Sequence, residues 1–205
     1  MAFVADSRYK GYLGPHPDPY PQFGDTWEDF LHDLVAGVTG MPGDKVFPRW
    51  QSEPPVRPNH DVDWAGVGID EITADWQAYV QHYPASDEHP DGYDALQHME
   101  TTTVLTSFYG PNATKNATLL RSGLFIEQNL AELRKADVGL VEVQAFQNAP
   151  ELFKQKWVDR VDVPVVLRRE IRLDYPVLNL LAAAGIITGN TGNRNVVTVF
   201  DTQES

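Results

Sequence analysis

The sequence predicts an α+β fold: a largely antiparallel sheet with two main helices packed on one face, a long projecting β-hairpin and an extended N-terminal arm. Three patterns lead there. Residues 67–83, "VGIDEITADWQAYVQHY", and 93–109, "YDALQHMETTTVLTSFY", both alternate at period two around the turn-rich "PASDEHPDG", which reads as an antiparallel hairpin. Trp27, Phe30, Leu31, Leu34, Val35 and Val38 recur at helical spacing, the mark of a helix with one apolar face. A third alternating stretch, residues 157–175, joins the sheet.

In chain order, residues 11–24, "GYLGPHPDPYPQFG", are too rich in proline for a helix or a central strand. They favour an extended, partly polyproline conformation. As an arm on a neighbouring subunit, this stretch offers Tyr12, Leu13, Tyr20 and Phe23 as apolar contact points; as a tail, it is solvated. The helix at 26–38 takes Asp25 or Thr26 as its cap, and Gly40 and Pro42 stop it. "KVFPRWQ" (45–51) is a short edge strand. At about 3.4 Å per residue, each arm of the hairpin reaches about 50 Å, more than a small core covers. "GPNATKNATLLRSGL" (110–124) is a turn and a helix capped by Asn112, and a second short helix covers 127–136. "LVEVQAFQ" (140–147) is a strand, "PELFKQKW" (150–157) a turn of helix, and "VVTVF" (196–200) a small last strand. With no internal repeat and no long linker, the division is an arm at 1–24 and a single domain at 25–205.

At 205 residues, the chain buries roughly 70% of its unfolded surface without a disulfide or metal. It has no cysteine, which excludes a disulfide scaffold, a thiolate zinc site and a cysteine nucleophile. The start lacks the apolar stretch of a signal peptide. The longest apolar run, "PVLNLLAAAGII", falls short of the roughly 20 residues that cross a bilayer, so the expectation is a soluble protein with no membrane partner. Residues 1–100 hold 18 acidic and 5 basic groups, whereas residues 101–205 hold 11 of each. The formal charge of −13 is therefore all in the first half, as are the six histidines. Such a chain repels phosphate backbones, because nonspecific nucleic-acid binding rests on Lys and Arg displacing counterions.

Catalytic patterns are thin. His60, Asp61 and Asp63, with Asp70, Glu71 or the His82/His98 pair, supply metal-type ligands, yet so acidic a half yields such groupings by composition and has no HExxH spacing. A metal-dependent hydrolase is the more distant alternative. "AGVGID" (65–70) lacks the third glycine of a dinucleotide fold, and no Gly-x-Ser-x-Gly element is present. No catalytic, cofactor-binding or metal-ligating residue is assigned, and the expectation is a protein that is not an enzyme.

"RVDVPVVLRREIRLDYP" (160–176) asks why arginines stand within a run of Val, Leu and Ile. Successive strand residues face opposite ways. Arg160, Arg168, Glu170 and Arg172 share the even face, read as solvated or facing a charged neighbour. Arg169 interrupts the apolar odd face, and a buried guanidinium needs a partner. Pro164 points to an edge or a bulge. The expectation is an edge strand with an inter-subunit carboxylate on Arg169. Unlike surfaces meeting head to tail close into rings. Arg160, Arg168, Arg169, Glu170, Arg172, Tyr12, Tyr20 and Phe23 are the candidate inter-subunit contacts.

"SFYGPNA…LLRSGLFIEQN" (107–129) and "PELFKQKWVDRVDVPVVLRREIRLDYPVLNLLAAAGII" (150–187) resemble segments of the phage neck or tail terminator family. "RWQSEPP" (49–55) and "DWAGVGI" (63–69) fit it more loosely. The resemblance implies a virion structural protein at the neck between head and tail, made in the host cytoplasm. It implies a small α/β subunit forming a homo-oligomeric ring, usually a hexamer, that caps the tail tube and docks the head connector or head-completion protein. A contractile tail adds the sheath protein as partner, and genomic DNA passes through without specific binding. The nearer alternative is a tail tube or head-completion protein.

Overall fold

The computed structural model describes residues 13–16, 23–51, 55–75, 77–87, 92–176, 182–190 and 195–203, the last two stretches as backbone only. Tyr12 and Tyr20 lie outside the described residues.

The predicted apolar stripe forms helix α1, Asp25–Thr39, and buries Trp27, Leu31, Val35 and Thr39. Its start differs from expectation. Gly24 occupies the cap position and no side chain caps the helix, because the Thr26 hydroxyl donates to the Phe23 carbonyl at 2.9 Å. Asp25 and Glu28 still complement the positive end of the helix dipole. Gly40, in the left-handed region at φ 71°, ends it by donating to the Ala36 carbonyl.

His32 ties α1 to the turn that follows. One ring nitrogen lies 3.0 Å from the Gly43 carbonyl and the other 2.9 Å from Asp33. The carbonyl, then Asp33, hold its pKa above the ordinary 6.5, against the opposing effect of burial. A raised folded value means stabilisation present in full below the unfolded pKa and lost as pH rises through the folded one. His32→Gln should therefore narrow its melting-temperature deficit from pH 5.5 to pH 8. A deficit that does not change with pH would refute this assignment.

The sheet runs in the order β1-β2-β4-β9-β5. Its strands are β1 (Val46–Pro48), β2 (Trp64–Ala74), β4 (Tyr93–Tyr109), β9 (Arg160–Pro176) and β5 (Val138–Val143). Two short strands attach to it, β3 (Tyr79–Tyr83) on β4 and β6 (Gln147–Asn148) on β9. β1 pairs parallel with β2; β2 with β4 and β5 with β9 are antiparallel. The α+β reading stands, with a mixed sheet of mostly antiparallel strands. The arm predicted as one strand over 67–83 is β2 followed by β3, and a bulge between Ile69 and Glu71 shifts the register.

Two further expectations are corrected. Residues 150–157 are not a turn of helix but a tight hairpin, β7 (Glu151–Phe153) against β8 (Lys156–Val158). Lys154 and Gln155 at its tip have φ of 48° and 64°. A two-residue loop with both φ positive matches the twist of a hairpin. Neither residue signals it, since Asn-Gly is the usual pair. β9 is also no edge strand, being flanked by β4 and β5. Pro164 is tolerated there because β5 ends at Val143 opposite Val165 and β6 begins opposite Asp162. In that gap Pro164 only accepts, from the Gln144 amide at 2.9 Å.

Helices α2 (Ala113–Gly123) and α3 (Glu127–Lys135) complete the helical layer. Asn112 stands at the α2 cap position but does not cap it. Its backbone amide and side-chain amide both donate to Asp63, at 2.8 and 2.7 Å. The anion at this helix start thus comes from the turn before β2. The core joins Trp27, Leu31 and Val35 of α1 and Ala117 and Leu120 of α2 to Val104 and Phe108 of β4 and Val161, Val163, Val165 and Leu167 of β9. These are the even positions of β4 and the odd positions of β9, one face of the sheet.

By contacts the chain divides into two compact units. Residues 17–81 and 96–173 hold the helices and most of the sheet. The smaller unit, residues 1–16, 82–95 and 174–205, contains the antiparallel pair β10 (Ala182–Asn190) and β11 (Asn195–Gln203). Within it, Tyr83 stacks on Tyr93 at 4.7 Å, and the His16 amide donates to the Asp174 carbonyl at 2.6 Å.

Candidate functional site

With the helices on one face, the opposite face of the sheet receives Ser107 from β4, Asp162 from β9, and Trp64, Gly66 and Gly68 from β2. Arg49, Trp50, Pro55, Arg57 and Pro58 lie across it. Gly68 is required by this approach: a Cβ there would lie 2.9 Å from the Arg49 Cβ and 2.7 Å from the Trp50 ring.

A polar chain runs through the layer. Arg49 donates to the Ser107 hydroxyl at 2.9 Å, and that hydroxyl donates to Asp162. Arg160 grips the same carboxylate with two bonds, at 2.8 and 2.9 Å, and sits 3.8 Å from Glu151. Glu151 also pairs with Arg57, so one carboxylate on β7 is held by two arginines. That fixes the strained Lys154–Gln155 hairpin against the sheet. Burial opposes the charge of Arg160, yet Asp162, Tyr109 and Glu151 hold its pKa above the ordinary value. It stays a permanent cation.

Aromatic rings complete the surface. Trp64 stacks on Tyr109 with centroids 3.9 Å apart and planes 3° from parallel. The Arg57 guanidinium lies 4.3 Å from the Phe153 centroid and 5.4 Å from that of Tyr109, within cation–π range. Burial, partly offset by Arg160, raises the Tyr109 pKa, so the phenol remains neutral. Phe47, Arg49, Trp50, Arg57, Trp64 and Tyr109 line a cleft of about 290 Å³. Around it Trp50 is 66% exposed, Leu152 62% and Trp157 71%. Exposed aromatics beside arginines are the composition of protein-binding surfaces.

The residues singled out in the sequence scatter. Arg160 belongs to this network. Arg168 is on the same sheet face but farther along, paired with Asp75 at 2.6 Å; Glu170 beside it is exposed, and Arg172 is half-buried. The even face of β9 is solvated only from Arg168 onward, since Asp162, Pro164 and Val166 are buried. Arg169 points into the helical side. Its Nε and Nη2 donate to Glu100 at 2.9 and 2.7 Å, and its guanidinium lies 4.3 Å from the Trp27 ring centroid and 5.4 Å from that of Phe23. The carboxylate expected from another subunit comes from β4 of the same chain. Sequence reasoning could not find it, because the pairing of Glu100 with Arg169 spans 69 positions.

The metal-type residues do not converge either. Among the described residues no group of three or more His, Cys, Asp or Glu is placed to hold an ion. His60 faces Lys156 at 3.2 Å, His82 faces Asp94 at 2.9 Å, and Asp63 serves α2. Missed in the sequence were Arg49, Trp50, Arg57, Ser107 and Glu151. Their signal lay in "RWQSEPP" and "PELFKQKW", two tryptophan-bearing stretches without regular periodicity.

Comparison with curated proteins finds none that matches the chain. The family model described as phage neck terminator protein matches residues 25–192, most of the chain, the sheet and all three described helices included. The chain belongs to the phage neck terminator protein family, and is a structural protein of the virion neck.

Proposed function

We propose that the protein ends tail growth by closing as a homo-oligomeric ring, a hexamer, on the last ring of the tail tube, and that it joins the tail to the head connector or head-completion protein. The match over residues 25–192 carries this reading. The exposed Trp50, Val56, Leu152 and Trp157 support it, since exposed apolar clusters mark interaction surfaces. The role is non-catalytic and needs no cofactor. Residues 25–205 act as the assembly domain and residues 1–24 as its arm; the loop between β3 and β4, with Glu170 and Arg172, meets neighbouring subunits. A sheath protein is a further partner if the tail contracts. The acidic surplus of the first half lines the channel and keeps DNA sliding, because phosphate contacts create affinity.

Light scattering with negative-stain imaging of purified protein tests this reading. A single closed ring of about six subunit masses is the expected result. Long stacks would make it a tube protein, and a monomer that stays monomeric with tube tips present would overturn the ring.

A further inference from the structure

We infer that the outer side of the β7–β8 hairpin docks on the exposed part of β2 and β3 of a second copy of this chain. The inference rests on the ring reading and names the contact between neighbours in that ring.

The hairpin presents an apolar pair that its own chain leaves uncovered. Leu152 and Trp157 stand directly opposite each other on β7 and β8, and they are 62% and 71% exposed. Successive strand residues face opposite ways. The pair therefore points away from Glu151 and Phe153, which lie against Arg57. Glu151 is already held by Arg57 and Arg160, so the exposed Lys154 and Lys156 set the charge of the hairpin surface.

The complementary surface lies farther along the sheet. β2 is exposed from Asp70 to Ala74, and β3 from Tyr79 to His82. This strip offers Ile72, Tyr79 and Val80 as exposed apolar side chains, with Asp70 and Glu71 beside them. The sequence holds no Lys or Arg between Arg57 and Lys115, so the strip supplies no cation of its own. Opposite charges steer and orient such a contact, while an exposed tryptophan set among aliphatic side chains anchors it.

The two surfaces do not meet within one chain. Arg57, which holds the hairpin, lies 5.8 Å from the Trp64 ring centroid and 5.4 Å from that of Tyr109. Ile72 pairs with Thr102, seven positions from Tyr109 along β4, about 23 Å away at 3.3 Å per residue. The three-residue strands of the hairpin span about 10 Å and fall short. Two hairpins repel each other, as do two acidic strips, so the contact joins unlike surfaces. A head-to-tail contact of this kind propagates around a ring.

The test uses two full-length variants, Lys154→Glu with Lys156→Glu and Asp70→Lys with Glu71→Lys, followed by native mass spectrometry. Alone, each should assemble at least tenfold more weakly than wild type, with unchanged thermal unfolding because the substituted side chains are exposed. Mixed, each altered surface meets its opposite charge on the other variant, as does each unaltered one. Oligomers holding the two chains in equal number should then return. Trp157→Ala should also weaken assembly at least tenfold. A charge variant that assembles like wild type, or a mixture that stays apart, would overturn the inference. Either result beside a wild-type ring removes this contact alone; a wild-type monomer removes the ring reading as well.

Discussion

Arg169→Ala should lower the unfolding free energy by about 3–5 kcal/mol, the cost of stranding one member of a buried ion pair. Arg169 is 6% exposed and Glu100 8%, so the lost guanidinium leaves a carboxylate with little water to replace its two donors. The substitution also removes the cation from beside Trp27 and Phe23. Against a typical total of 5–15 kcal/mol, the variant approaches the limit of folding. Glu100→Gln should be milder, because the amide oxygen still accepts. The double variant Arg169→Met with Glu100→Leu should recover most of the loss, since an apolar pair of similar volume needs no desolvated charge. Urea midpoints of the three variants decide the matter. A single variant with the wild-type midpoint and a lost ring would return Arg169 to an interface, contrary to the intrachain pair.

Gly110→Ala should cost about 2–5 kcal/mol, from backbone strain and overpacking together. Gly110 joins the end of β4 to the start of α2 at φ 101°, a conformation that L side chains rarely take. A Cβ there would stand 2.6 Å from the Val62 carbonyl oxygen and 2.9 Å from the Asp63 Cα. Both atoms belong to the Val62–Asp63 backbone, so no rotamer relieves the contact. Asp63 must move, and with it both bonds to Asn112. The Gly110 amide bond to the Asp159 carbonyl, 3.1 Å, is also displaced next to Arg160. A melting temperature within a degree of wild type would show that the turn relaxes without disturbing these neighbours. Stacking of Trp64 on Tyr109 offers a second readout through near-ultraviolet circular dichroism, which should weaken in Gly110→Ala.

Periodicity made the regular elements legible. The α1 stripe, the alternation of β4 and the odd apolar face of β9 are local patterns that burial follows in α1 and most of β4, whereas in β9 residues 161–167 are buried on both faces. Family membership was legible too, because motif order and spacing survive where single motifs are unspecific. Turn chemistry was less so. Lys154 and Gln155 carry no hairpin signal, and the geometry holds because Arg57 and Arg160 anchor Glu151 from outside the hairpin.

By itself the sequence determined an α+β chain without cysteine, acidic in its first half, with the markings of a neck terminator. It also determined that Arg169 needed a carboxylate. Only the tertiary structure decided which carboxylate that is, that β9 lies inside the sheet, and that Arg49, Arg57, Trp64 and Tyr109 form one cleft. The physical reason is range. Helix and strand periods repeat over a few residues and can be read along the chain. Ion pairs and ring stacks such as Arg49–Ser107 and Trp64–Tyr109 join positions dozens of residues apart, and strand order alone brings them together.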